Sequence, residues 1–198
     1  MTASPQPPRS TTAPAAPARV PLLRLAAVAY GLLAAIALGW NGWAGRPWAY
    51  LDASAAAVGI RWGHDLALGL AAASAVIALS QLLTAHTRWG TALAAELARA
   101  LGPLTLFECG ALAALSGFAE EAFFRGALQP RIGWLAASVV FGLAHVAPRR
   151  ALWLWTAFAL AAGGLLGALF AATGNLVAPI AAHTAINAVN LRLLTRDR

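Results

Sequence analysis

The chain contains no lysine and a single cysteine, Cys109, among its 198 residues. One cysteine excludes an internal disulfide and a cysteine-rich zinc knuckle. Charged residues are also scarce, at 11% of the sequence, whereas hydrophobic residues make up 60%. Soluble globular domains carry about 25% charged residues, so this composition excludes an ordinary soluble domain.

Because lysine is absent, the net charge of +7 comes from fourteen arginines set against seven acidic residues. The arginines are scattered along the chain and form no basic patch of the kind that binds nucleic acid. We therefore expect no nucleic-acid partner. Arginines distributed in this way indicate loops that set the orientation of a membrane protein.

Long apolar runs dominate the sequence, and several reach the roughly 20 residues that a helix needs to cross the hydrocarbon core. Backbone groups in lipid must satisfy one another, and these runs are too long and continuous for barrel strands. The sequence therefore predicts an all-α, polytopic transmembrane helical bundle of about six spans, with one or two interfacial helices. The predicted spans are 25–40, 65–84, 104–128, 132–147, 152–173 and 176–194, and the predicted surface helix is 87–102.

The predicted organisation is a tail followed by one membrane-embedded domain. Residues 1–21 hold six prolines among Ser, Thr and Ala, a composition that predicts a disordered cytoplasmic tail. Residues 22–198 form the predicted domain, with a catalytic core at about 104–194. Six spans put both termini on one side, and ten arginines there against three opposite predict that this side is the cytoplasm of a prokaryotic cell.

The most informative stretch is 116–126, where two adjacent carboxylates and an arginine follow a long apolar run. A charge near the bilayer centre costs about 2.5–3.5 kcal/mol on insertion scales, so such groups are functional candidates. On a helix that turns about 100° per residue, Glu121 and Arg125 share a face, whereas Glu120 points about 140° away from Arg125. We expect Glu121 and Arg125 to neutralise each other and Glu120 to face another partner.

Two later spans carry polar side chains that lipid-facing helices disfavour. His145 follows Phe141 by one turn, and Asn187 follows His183 by one turn, so each pair shares a helix face. Counting 1.5 Å per residue from the predicted turns puts Glu120 within about 10 Å in depth of both histidines and of Asn187. Burying these groups for packing alone would cost several kcal/mol, so they predict one polar cavity near the middle of the membrane.

Two prolines are expected to interrupt these spans. Pro130 is expected to end the third span, because proline inside a helix lacks the amide hydrogen and clashes with the preceding turn. For the same reason Pro179, one turn before His183, is expected to kink the last span near the polar cavity.

In chain order, these residues resemble the three motifs of the CAAX prenyl-protease and bacteriocin-processing family of intramembrane proteases. The matching motifs are Glu120-Glu121-x-x-x-Arg125, Phe141-x-x-x-His145 and His183-x-x-x-Asn187. The resemblance covers about 104–194. It implies an all-helical core, hydrolysis of a peptide bond by a glutamate-activated water, and a cavity reached from the membrane.

The chemistry of these groups suits that reaction. Peptide hydrolysis needs a base that takes a proton from water and donors that stabilise the oxyanion. We expect Glu120 to be the base and His145 to orient the water, while His183 and Asn187 donate to the oxyanion. The residues expected to support these four are Glu121, Arg125 and Phe141.

Two alternatives use the same residues. A zinc protease would hold its metal with Glu120, His145 and His183 and leave the fourth position to water. We expect no cofactor, because a His-Glu-x-x-His helix is absent from the sequence and the ligands come from separate helices. A non-catalytic membrane scaffold or immunity protein would keep the fold without the chemistry. The partners expected for the enzyme are membrane lipid and a membrane-anchored or lipidated protein or peptide substrate.

Overall fold

The structure is a computed structural model that describes residues 22–147 and 152–196, so the predicted tail lies outside the described residues. Within those ranges the chain is helical and contains no strand, which confirms the predicted all-α bundle. The helices are α1 (Leu22–Trp43), α2 (Ala53–Val58), α3 (Trp62–His86), α4 (Arg88–Leu101), α5 (Leu106–Glu121), a π-helical segment (Ala122–Leu128), α6 (Gln129–Ile132), α7 (Trp134–Ala144), α8 (Trp153–Thr173) and α9 (Val177–Thr195).

Three helices, α1, α3 and α8, are individually long and apolar enough to cross a membrane. Helix α4 and the continuous run 106–132 are together long and apolar enough as well, although the pair is bent by 100°. Counted as one span, this pair would be the fourth. Helix α7 is apolar but has only 11 residues. The bundle is therefore that of a membrane protein, and the count of six spans stays a prediction.

Side-chain caps explain where α4 and α5 begin. Thr87 accepts a hydrogen bond from the amide of Gly90 at 3.0 Å and so starts the amphipathic α4 where the sequence predicts a surface helix. Thr105 and Glu108 form a reciprocal capping box that starts α5 after Gly102, whose φ of 70° ends α4. These caps separate α4 from the helix that carries the two glutamates.

The predicted break at Pro130 is wrong, because the helical run continues through it to Ile132. Pro130 directly follows the π-helical segment, where the backbone hydrogen-bond pattern already changes from that of an α-helix. The run ends instead at Gly133, whose φ of 84° is open to glycine at little cost. Glu120 and Arg125 therefore lie in one continuous helical run that changes its winding at Ala122.

The kink predicted at Pro179 is also wrong. Helix α9 begins at Val177, so Pro179 lies in its first turn, where the amide hydrogen has no partner in any helix. The carbonyl oxygen of Asn175 accepts a hydrogen bond from the Thr173 hydroxyl at 3.0 Å. His183 therefore lies within the regular part of α9.

The start of α9 is tied to two other parts of the chain. Asn175 is buried, and its side-chain amide donates to Asp65 of α3 at 2.8 Å, while its Oδ1 accepts from the amide of Val177 at 3.0 Å. Its backbone also forms a bridge with Tyr50 in the connection between α1 and α2. These contacts fix the position from which α9 enters the bundle.

Helices α5 and α9 pack closely beside the two glutamates. A Cβ added at Gly117 would lie 2.3 Å from Oγ1 and 3.1 Å from the amide nitrogen of Thr184, so a glycine is needed there for the two helices to meet. Helix α1 runs along the other side of α5, where Ala26 packs against Cys109 and Leu112. The carboxylates at the end of α5 thus have α1 and α9 as neighbours.

Candidate active site

The two glutamates lie at the end of α5 and are buried, Glu121 at 0% and Glu120 at 6% exposure. Glu121 Oε1 accepts a hydrogen bond from Arg125 Nη1 at 2.9 Å, with Arg125 itself 1% exposed. The sequence predicts this pair, and the structure has it although the winding changes at Ala122. The pair removes the net charge that an isolated buried carboxylate would carry.

Arg125 is held on three sides by neighbours. Its Nη2 donates to the carbonyl oxygen of Gly163 in α8 at 3.0 Å, and its Cζ lies 4.4 Å from the centre of the Phe141 ring. A cation over an aromatic face is attracted by the ring quadrupole. Phe141, one of the residues expected from the sequence to support the site, therefore packs against the arginine.

His145 follows the last turn of α7 and faces Glu120. Its Nδ1 lies 2.8 Å from the carbonyl oxygen of Phe141, and because a carbonyl only accepts, Nδ1 carries the hydrogen. This leaves Nε2 directed at Glu120 Oε2, 3.6 Å away. The His145 ring also lies against Phe141, with centroids 4.6 Å apart. The geometry brings together one buried carboxylate and one imidazole nitrogen across a gap too wide for a direct hydrogen bond.

His183 contacts the other glutamate. Its Nδ1 lies 2.7 Å from Glu121 Oε1, and because a carboxylate oxygen accepts, His183 donates. The same oxygen therefore receives hydrogen bonds from both His183 and Arg125. The motif spacing does not predict this division, in which His145 faces Glu120 and His183 faces Glu121.

Asn187 lies one turn beyond His183 and contacts α5. Its Nδ2 donates to the hydroxyl of Ser116 at 2.9 Å, and Ser116 is one turn before Glu120. All seven residues singled out in the sequence therefore lie on the facing sides of α5, its π-helical continuation, α7 and α9. Asn187 is at the edge of this group and has one amide hydrogen left after its bond to Ser116.

One residue at this site has no role in the sequence interpretation. Ser116 is the acceptor for Asn187. Its position contains a signal, because Ser116 shares a helix face with Glu120.

Two carboxylate oxygens of the site, Glu120 Oε2 and Glu121 Oε2, are buried without a hydrogen-bond partner among the described residues. Such orphaned acceptors in a buried site are places where water, a substrate or an ion can bind. Within 22–147 and 152–196, no group of three His, Cys, Asp or Glu side chains is arranged to hold a metal. The zinc ligands considered from the sequence, Glu120, His145 and His183, therefore form no such group among these residues.

A largely apolar cavity of about 530 Å³ lies between α3, α4, α8 and α9. One of its walls is Trp155, whose ring centroid is 5.9 Å from that of His145. Its polar rim is the amide oxygen of Asn190, which accepts from the Ser80 hydroxyl at 3.1 Å and from Gln81 at 3.3 Å. The cavity therefore adjoins the Glu120–His145 pair through a single aromatic side chain.

The fold and site together define a helical membrane protein with a buried glutamate–histidine centre. Residues 102–189 match the family described as type II CAAX prenyl endopeptidase Rce1-like. This match confirms the resemblance predicted from the three motifs, and the segment is similar to that family of proteases. It contains all seven site residues and excludes α1, α2, α3 and α4.

A curated relative is similar to part of the chain. The chain is 44% identical over 80 residues to the uncharacterized protein YpbD of Bacillus subtilis (strain 168). This similarity covers 39% of the present chain and 41% of the relative. No solved structure matches the chain significantly.

Proposed function

We propose that this protein is an intramembrane endopeptidase that hydrolyses a peptide bond of a membrane-associated or lipidated protein or peptide with a glutamate-activated water. The observation that carries the proposal is the 3.6 Å approach of His145 Nε2 to the buried Glu120 Oε2. Neither atom has a closer hydrogen-bond partner among the described residues. A water beside these two acceptors would be placed to donate a hydrogen bond to each.

The water would donate one hydrogen to each acceptor. His145 Nε2 is an acceptor because the hydrogen of the neutral ring is on Nδ1, which donates to Phe141. Glu120 is the acceptor that takes the proton when the water oxygen attacks the carbonyl carbon of the substrate. His145 is then an orienting residue, and Glu120 is the general base.

The proton balance closes with the same carboxyl group. Attack of the water oxygen forms a C–O bond and a tetrahedral oxyanion, while Glu120 holds the proton. Protonated Glu120 then gives this proton to the amide nitrogen, the C–N bond breaks, and a carboxylic acid and an amine leave. One group thus acts first as base and then as acid, as microscopic reversibility allows.

The oxyanion needs donors, and α9 offers two. Asn187 retains one amide hydrogen beyond its bond to Ser116. A protonated His183, with Nδ1 bound to Glu121, would present Nε2–H to the developing charge. The role of Glu121 and Arg125 is then to hold His183 in orientation. Removing one such donor typically costs about 10²–10³ in rate.

The apolar cavity beside Trp155 supports a membrane-associated substrate. The cavity volume of about 530 Å³ suits an extended apolar chain, such as a lipid modification. A transmembrane helix is about 10 Å in diameter and fits this space less well. Because Trp155 separates the cavity from His145, an apolar group bound there would present the adjoining peptide bond to Glu120. We propose that substrate selection depends on this cavity.

The decisive experiment substitutes Glu120→Gln in the full chain and compares the membrane peptides of that strain with those of the parent by mass spectrometry. The expected result is the accumulation of one or more uncleaved peptides, which also identifies the substrate. Glu108→Gln is the matched control, because Glu108 is in the same helix and glutamine also completes a capping box. Identical peptide profiles for Glu120→Gln and the parent would overturn the proposal.

Zinc chemistry is the second candidate, since Glu120 and His145 are potential ligands on one side of the site. The third, His183, donates Nδ1–H to Glu121, which leaves its Nε2 available to a metal, so this bond is compatible with a zinc site. Metal analysis of chelator-treated protein, with cleavage measured on the same sample, separates the two mechanisms. A non-catalytic scaffold or immunity protein instead predicts that Glu120→Gln leaves the biological role intact.

We also propose that the protein lies in the prokaryotic cytoplasmic membrane with both termini in the cytoplasm. The support is the arginine count of ten against three under six spans. Reporter fusions at each terminus test this orientation. A periplasmic signal from either terminus would contradict it.

A further inference from the structure

One side chain, Trp155, belongs both to the wall of the apolar cavity and to the surroundings of the catalytic pair. It is the third residue of α8 and lines the cavity of about 530 Å³. Its indole also meets the imidazole of His145 edge to face, with ring centroids 5.9 Å apart and planes at 64°. The indole therefore lies between the space of the cavity and the imidazole that faces Glu120.

Packing fixes the position of this indole. Phe158, one turn later in α8, stacks on it with ring centroids 6.0 Å apart and planes at 18°, and lines the cavity as well. Phe158 in turn packs against the core that contains Leu166 and Ile186. Trp155 is thus held between a ring anchored in the core and the ring of His145, so the cavity ends in a close-packed wall on this side.

His145 has its own supports, which do not involve the indole. Its Nδ1 donates to the carbonyl oxygen of Phe141 at 2.8 Å, and its own carbonyl oxygen accepts from the hydroxyl of Thr156 at 3.1 Å. The Phe141 ring is also closer to the imidazole than the indole is, with centroids 4.6 Å apart. These contacts orient His145, so the distinct contribution of Trp155 is to separate the imidazole from the cavity.

The walls of the cavity determine the chemistry of its occupant. They are largely apolar and include Leu93 and Leu97 of α4 and Leu193 of α9. Walls of this kind bind a hydrocarbon chain through the burial of apolar surface. Because the cavity adjoins His145 through Trp155, a chain bound there lies next to the reacting peptide bond. This continuity favours a chain that the substrate itself carries over the acyl chain of a free membrane lipid.

We propose that Trp155 is a specificity-determining residue. Its indole confines the hydrocarbon chain of a substrate to the cavity, and so fixes which peptide bond, counted from the chain, lies at Glu120 and His145. For the identity of the substrate this rests on the proposed function. Without the indole, the chain could slide into the space beside His145 and displace the peptide bond from the catalytic pair.

The confinement is measured without any cleavage. Palmitic acid with a diazirine at the end of its chain is added to the purified protein in phosphatidylcholine nanodiscs and irradiated, and the labelled residues are mapped by mass spectrometry. In the parent, we expect adducts on Phe158 of the cavity wall and few on His145. In Trp155→Ala, adducts are expected to shift from Phe158 to His145, because the partition between them is gone.

Trp153→Ala is the matched control. Trp153 is two residues earlier in the same helix, is 61% exposed and lies outside the cavity wall, so this variant is expected to keep the map of the parent. An equal ratio of His145 to Phe158 adducts in the two variants would overturn the proposal, and so would a parent in which Phe158 is never labelled. Where Trp155→Ala does not fold, Trp155→Leu and Trp153→Leu give the same comparison.

The consequence for specificity is measured on the peptides that accumulate in Glu120→Gln. In the parent, each is expected to be cut at one bond, at a fixed number of residues from its hydrocarbon chain. Trp155→Ala is expected to cut at additional bonds, because a shift of one methylene in an apolar pocket changes kcat/KM by about 10–200-fold. An unchanged single cut, or substrates without a hydrocarbon chain, would overturn the role in specificity. A Glu120→Gln strain that accumulates no peptide contradicts the proposed function instead, and the probe comparison then decides the role of Trp155.

Discussion

His145 and His86 make the same local contact: each Nδ1 donates to the carbonyl oxygen four residues earlier, at 2.8 Å and 3.0 Å. They differ in what the other ring nitrogen faces. His145 presents Nε2 to the buried Glu120, whereas His86 is exposed at the end of α3. The chain therefore contains an internal control for the chemistry assigned to His145.

The first prediction compares these two histidines. His145→Ala is expected to lower cleavage about 10²-fold, because His145 orients the water and a misplaced reacting group costs about that much. His86→Ala removes the equivalent local bond and is expected to leave cleavage unchanged. The measurement is the accumulation of the peptides defined by Glu120→Gln, with circular dichroism to establish folding. Equal activity of the two variants would remove His145 from the mechanism.

The local part of the site could be predicted from the sequence, because it depends on residues four positions apart. The Glu121–Arg125 pair and the His145–Phe141 face follow from helical periodicity, and both are in the structure. The partner of His183 could not be predicted in this way. It depends on the rotation of α9 about its axis against α5, which the contact of Gly117 with Thr184 sets.

The two prolines also show that local sequence alone does not predict how the helices are arranged. Their average effect inside a helix predicts a break or a kink, but Pro130 lies where the winding changes after the π-helical segment, and Pro179 lies in the first turn of α9, where proline is tolerated. Their positions depend on where the helices begin. These starts are set by the π-helical segment before Gln129 and by the cap from Asn175, two features without a strong local sequence signal.

The second prediction concerns the contact between α5 and α9. Gly117→Ala would put its methyl group 2.3 Å from Thr184 Oγ1 and 3.1 Å from the backbone of α9, so the helices must separate. Overpacking of this kind costs about 1–3 kcal/mol. Because Thr184 adjoins His183, we expect both a lower thermal midpoint in detergent and reduced cleavage.

Gly110→Ala is the control for this change, because the same methyl group in the same helix meets no atom within 4 Å. Alanine is the better helix former, by up to about 1 kcal/mol, so this variant is expected to be as stable as the parent or slightly more so. A Gly117→Ala protein with the stability and activity of Gly110→Ala would show that the contact is not needed.

The third prediction concerns the buried ion pair. Arg125→Leu leaves Glu121 buried and bound only to His183, and breaking such a pair typically costs about 3–5 kcal/mol. Arg99→Leu in α4 removes an exposed partner of Glu96 and is expected to cost at most about 1 kcal/mol. Unfolding in mixed detergent measures both. Equal losses of stability would show that the Arg125 pair contributes little to the fold.

The last prediction separates the position of α9 from its chemistry. Asn175→Ala removes the donor to Asp65 and the cap at Val177, and leaving such buried groups unpaired costs about 1–3 kcal/mol. Asn190→Ala is the matched control, since Asn190 is only partly buried and accepts two bonds at the cavity rim. We expect Asn175→Ala to have the lower thermal midpoint.

At low temperature, where the Asn175→Ala protein is folded, it is expected to retain most of its cleavage activity, because His183 and Asn187 lie beyond the first turn of α9. Activity lost at low temperature despite an intact fold would mean that the Asp65–Asn175 contact sets the geometry of the site itself. The start of α9 would then be part of the catalytic arrangement and not only its anchor.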